Sequence, residues 1–228
     1  TFADNINEFS GMIGERQVGC PLVVHRRCIE PMFSISNMIS YDNRMFNKTH
    51  KKEDYLKQEQ PFLIKKSGWI NVEGTENGSK DHFVKNQAER VCQLLENALH
   101  IYTNLYETDD KIFIITPFRT VAESMRKFVI GYFSVKGYDK EMLTKWTKNC
   151  VGTVHTFQGK DANEVLFVLG CSDKSVGAMN WVVKKANILN VACTRAKYRI
   201  AFIGNLNDWK NRRYFREFIP KFIDAIDA

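Results

Sequence analysis

The sequence predicts an α/β domain built on a mainly parallel sheet with helices on both faces. Short apolar runs that read as strands recur along the chain, and stretches with helical periodicity lie between several of them. With 44% hydrophobic residues over 228 positions, the chain can bury a sizeable core.

Taken in order, the first residues, TFADNINEFSGMIGE, have neither the charge pattern of a signal peptide nor the length of an apolar span. Pro21 to Val24 reads as a strand. Residues 46–60 (FNKTHKKEDYLKQEQ) are polar and lysine-rich without a periodic apolar set, so 47–60 reads as a surface loop or insertion. A strand at Trp69 to Val72 leads into a tight loop, Glu73 to Lys80, marked by the Asn77-Gly78 turn pair. His82 to Tyr106 carries apolar residues at helical spacing, and Val121 to Val135 repeats the pattern. Strands are expected at Lys111 to Thr116, Val151 to Val154, Val165 to Leu169 and Arg199 to Gly204, with a final helix in Asp208 to Ile226. No repeat or composition break divides the chain, which predicts one domain over 1–228.

The formal net charge of +7 admits a polyanionic partner and equally an ordinary basic surface. Six cysteines show no C-x-x-C pair and no paired histidines at ligand spacing, so no metal ligands are assigned. Several cysteines lie in apolar runs as buried free thiols do, which points to a reducing, intracellular and cytoplasmic setting without a membrane partner.

Two segments carry chemistry. In VGTVHTFQGKDANEVLFVL a strand breaks into a polar loop holding His155, Gln158, Gly159, Lys160 and Asp161, the composition of a polyanion site. In NVACTRAKYRIAFIG, Thr194, Arg195 and Lys197 precede a strand, which predicts a fixed cation at a strand edge. A G-x-x-x-x-G-K-[ST] phosphate loop is absent from these 228 residues, and Gly74 to Lys80 ends in the wrong order. A phosphate-reading domain without that loop is expected to be half of a two-domain machine.

Four ordered segments together resemble the second, C-terminal RecA-like domain of a superfamily-one helicase, in the branch of the nonsense-mediated-decay helicase. They are LVVHRRCIEPMFSISNMISYDNRM, IITPFRTVAESMRKFV, VGTVHTFQGKDANEV and LNVACTRAKYRIAFIG. The resemblance implies a P-loop NTPase-type fold without its own phosphate loop. It implies ATP and Mg²⁺ as cofactors, with metal ligands mainly from an N-terminal RecA-like domain of the same longer chain.

Under it, Arg27, Arg195 and Gln158 are catalytic, and Arg26, Gly159, Lys160 and Asp161 contact the nucleotide. Thr116, Pro117, Phe118, Thr153 and His155 would grip single-stranded DNA or RNA, with 5′-to-3′ movement. An aromatic placed like Phe118 after a strand is more often a core ring than a stacking platform, and His155 reads equally as a residue that orders its own loop. Arg26 replaces a tyrosine frequent in relatives, and Asn187-Ile188 replaces an arginine pair. Asn86 and Glu89 match a short N-x-x-E segment. A non-enzymatic nucleic-acid-binding or scaffold module derived from such a domain is the alternative.

Overall fold

The computed structural model describes residues 11–13, 15–18, 23–49, 62–76, 81–102 and 104–220. Its centre is a five-stranded, fully parallel sheet made from β5 (Gly68–Asn71), β6 (Ile112–Thr116), β7 (Val151–Thr153), β8 (Ala162–Val168) and β9 (Ala196–Gly204), in the order β5-β9-β8-β6-β7. Successive strand residues project to opposite faces, and both sets are apolar. Phe113, Ile115, Val165, Phe167, Ile200, Phe202 and Trp69 enter one core. Ile112, Ile114, Leu166, Val168, Ala201, Ile203 and Ile70 enter the other. A sheet apolar on both faces must be covered on both, and helices do this.

The second core is closed by α2 (Lys85–Ala98), α3 (Arg119–Ser134) and α4 (Lys140–Cys150). In α4, Leu143, Trp146, Thr147 and Cys150 form one buried stripe, and Asp139 caps the start by accepting from Met142 N at 2.7 Å. The first core is closed by α1 (Met32–Ser40), α5 (Val176–Val182), α6 (Asn187–Arg195) and two four-residue helices, α7 (Leu206–Trp209) and α8 (Phe215–Phe218). No helix among the described residues is long and apolar enough to cross a membrane. Cys28, Cys92, Cys150, Cys171 and Cys193 are all buried.

Three expectations change. Among the described residues, the end of the apolar run at Val24 lies outside the central sheet, in β3 (Val24–His25), which pairs with β4 (Phe46–Asn47). The chain turns at once, because the His25 ring accepts from Cys28 N at 2.9 Å. Asn47, placed in the surface loop from sequence, instead ends strand β4, while Lys48 and Thr49 are outside regular structure, with Thr49 buried and bonded to Asn47 Oδ1; residues 50–61 lie outside the described residues. The single C-terminal helix is replaced by α7 and α8, separated by Tyr214 at φ 68°, a conformation that ends helical continuity. Residues 221–228 lie outside the described set.

Candidate nucleotide and nucleic-acid interface

The loop from Val154 to Asp161 runs from the C-terminal edge of β7 back across one face of the sheet to the N-terminal edge of β8, which is parallel to it through β6. Its path is set by one buried ring. Phe157 is fully buried and stacks on Phe113 of β6 at 4.3 Å between centroids. Tight turns flank it: Thr156 N donates to Thr153 O at 2.9 Å, Gln158 N to His155 O at 3.2 Å and Lys160 N to Phe157 O at 3.0 Å. Gly152 permits the close approach, since a Cβ there would stand 2.9 Å from the Thr156 side chain. Gly159 takes φ +89° with open space around it, leaving its backbone accessible.

At the β8 and β9 edge the loop meets Arg195. This arginine is the last residue of α6 and only 4% exposed, so the strand-edge cation expected from sequence is instead a buried helix end. The segment LNVACTR folds as a helix because Leu189, Ala192 and Cys193 fall on one core-facing stripe. The guanidinium Nη1 donates to Lys160 O at 2.8 Å and Phe157 O at 3.1 Å, while Nε is buried without a partner. Burial first, and the neighbouring Arg27 charge second, hold Arg195 below its ordinary pKa, against the opposing pull of Asp161. Asp161 pairs with Lys197 at 2.8 Å.

The segment bearing exposed Arg26 and Arg27 is strapped to this edge, since Ile29 N donates to Lys197 O at 3.1 Å. Arg27, Lys160, Asp161 and Arg195 are thus assembled on one edge of the sheet. Gln158, Gly159 and Lys160 are exposed in the loop just before it.

The other group lies at the opposite edge. Pro117, Phe118, Thr153 and His155 line a groove of about 510 Å³, joined by Arg119, Ala122, Glu123, Arg126, Thr156 and Trp181. Thr116 is buried, and its hydroxyl oxygen accepts from Phe118 N at 3.5 Å; it shapes the turn from beneath and is not part of the lining. Phe118 is half-buried between the His82 ring at 4.9 Å and the Trp181 ring at 5.7 Å. Phe118 packs against both cores and also lines the groove.

Trp181, 50% exposed, was not read from the sequence, where it sits in an unremarkable apolar stretch 26 positions beyond His155. An exposed tryptophan is the signal that would have found it. Arg126 is engaged, donating through Nε and Nη2 to Val151 O at 2.9 and 2.6 Å, and Arg119 pairs with Glu123 at 2.8 Å. Lys85 pairs with Glu89 at 3.2 Å on the exposed face of α2.

Known proteins place the chain. An uncharacterised ATP-dependent helicase of Methanocaldococcus jannaschii is 26% identical over 214 residues, covering 87% of this chain. The chain spans 28% of that relative's length. A solved structure described as the C-terminal domain of a possible DNA helicase from Lactobacillus plantarum aligns over 79% of this chain and 87% of its own, at 9% identity and a TM-score of 0.42. The AAA domain family model matches residues 9–207, and the chain belongs to the AAA domain family.

Proposed function

We propose that this chain is the C-terminal motor half of an ATP-dependent nucleic-acid helicase or translocase of superfamily one, in the nonsense-mediated-decay-helicase-like branch and moving 5′ to 3′. The observation that carries this reading is the single loop from Val154 to Asp161. One end contributes to a groove with aromatic, hydroxyl and imidazole groups, and the other lies under a buried arginine. The helicase name of the archaeal relative, aligned over 87% of the chain, supports the same reading.

The residues present fit a nucleoside triphosphate. Arg27 and Arg195 lie close enough for their charges to oppose one another, and Arg195 Nε is buried without a partner. An anion bound beside them offsets that repulsion. ATP with Mg²⁺ supplies the phosphoryl-transfer chemistry when a domain bearing a phosphate loop closes on this edge. Arg27 and Arg195 then present fixed positive charge where negative charge develops on the transferring group. Lys160 adds a mobile cation, Gln158 orients polar groups by donating and accepting, and Gly159 lets the backbone approach. Arg26 offers a planar guanidinium that can stack on the base.

At the far edge, Phe118 and Trp181 offer π-faces to the bases of a single strand, and Thr153, Thr156 and His155 offer hydrogen bonds to its backbone. Arg195 holds the loop through the carbonyls of Phe157 and Lys160, so any nucleotide-driven shift of its guanidinium moves the same loop that ends at Thr153. Joined to an upstream phosphate-loop domain, the chain is expected to show ATP hydrolysis stimulated by single-stranded nucleic acid, and alone to show almost none. The alternative is a non-enzymatic nucleic-acid module, in which the Arg195 tether is purely structural. Strand binding by the joined protein with no stimulated hydrolysis would establish that alternative.

A further inference from the structure

Behind Phe118, three potential metal-ligating side chains converge from two connections, the one between β5 and α2 and the one after β8. Glu76 follows β5, His82 lies just before α2, and Cys171 follows β8. One ligand atom from each lies within 4.8 Å of the others, and Glu76 and Cys171 are buried. His82 Nδ1 stands 3.4 Å from Glu76 Oε1. We propose that Glu76, His82 and Cys171 form a binding site for a divalent cation of the zinc type. The proposal stands apart from the nucleotide and nucleic-acid reading.

The donor set is the first argument. A thiolate, an imidazole and a carboxylate are the borderline-soft ligands that Zn²⁺ takes, and a three-residue set leaves one position for solvent. Charge balance is the second. A divalent ion held by one carboxylate, one thiolate and one neutral imidazole gives a site with no net charge, which suits the buried positions of Glu76 and Cys171. The Cys171 thiol proton leaves as the metal–sulfur bond forms, so binding releases one proton to solvent.

The surrounding hydrogen bonds are the third argument. Glu76 Oε2 accepts from the hydroxyls of Ser172 and Ser175 at 3.3 and 3.0 Å, and Oε1 accepts from Ser172 N at 3.3 Å. The carboxylate is thereby oriented with Oε1 toward the imidazole, as an outer shell orients a metal-binding carboxylate. Cys171 N donates to His82 O at 2.9 Å, tying two ligand-bearing segments together through the backbone. Linear spacing hides the set, because 89 positions separate His82 from Cys171 and only the fold joins them. A bound ion would pin the segment before α2 to the end of β8, fixing the His82 ring against Phe118.

The purified protein, stripped of metal and titrated with Zn²⁺ or Co²⁺, is expected to take up about one equivalent at this site. The Co²⁺ form is expected to show a thiolate-to-metal charge-transfer band, lost in Cys171→Ser and weakened in His82→Asn with secondary structure retained by circular dichroism. Wild-type protein is also expected to melt at a higher temperature with Zn²⁺ than with chelator, a readout that needs no variant. Folded wild-type protein with no cobalt–thiolate band overturns the assignment, as does a band that survives intact in Cys171→Ser.

Discussion

Arg195, Glu164 and Trp181 each show a side chain whose burial decides its role. Glu164 sits in β8, 1% exposed, and accepts from Leu63 N and Ile64 N at 2.8 and 2.7 Å. Burial raises its pKa from the ordinary 4.5 to about 7, against the lowering pull of those two N–H groups and of Arg199. Because the folded value lies above the unfolded one, this group's contribution is full below about pH 4.5 and is lost as pH rises through 7. Unfolding free energy is therefore expected to fall by roughly 2 kcal/mol between pH 5 and pH 8, measured by urea titration, and to flatten in Glu164→Gln. Trp181 yields a second expectation. The other three tryptophans, Trp69, Trp146 and Trp209, are buried, so quenching of intrinsic fluorescence by an oligonucleotide reports chiefly on Trp181. Quenching is expected with a base-bearing strand and not with an abasic one, and Trp181→Ala is expected to weaken binding by about 1–3 kcal/mol.

At the scale of elements, the loop between β7 and β8 depends on Phe157 more than on its polar residues. Phe157→Ala removes the ring stacked on Phe113 and is expected to destabilise the domain by about 3–5 kcal/mol, read from the shift in denaturation midpoint. Gly159→Ala meets no neighbouring atom but must hold φ +89°, so it is expected to cost only about 1 kcal/mol. The central strands were legible because they are continuous apolar runs, the mark of a sheet buried on both faces. Helix α6 was not legible: it has nine residues, and its N-cap position, Ala186, makes no side-chain cap. The polar motif was legible as a motif, down to Gln158 through Asp161. Its geometry was not, because the guanidinium of Arg195 turns inward to carbonyls 35 and 38 positions away. Trp181 and the Glu76–His82–Cys171 cluster escaped for the same reason, since parallel crossovers bring together residues that no local spacing links.

Across the whole molecule, the predicted site residues separate into two groups at opposite edges of one parallel sheet, with a single loop between them. A domain built this way suits a motor half that receives a nucleotide-bound partner at one edge and a strand at the other. The most direct measurement is ATP hydrolysis by Arg195→Ala in the chain joined to an upstream phosphate-loop domain, with and without single-stranded nucleic acid, beside strand affinity in the same preparation. Stimulated hydrolysis is expected to fall on the order of a thousand-fold while strand affinity changes by no more than a few-fold. Hydrolysis that stays near the wild-type rate in folded Arg195→Ala would contradict the assignment of that arginine and the two-edge account built on it.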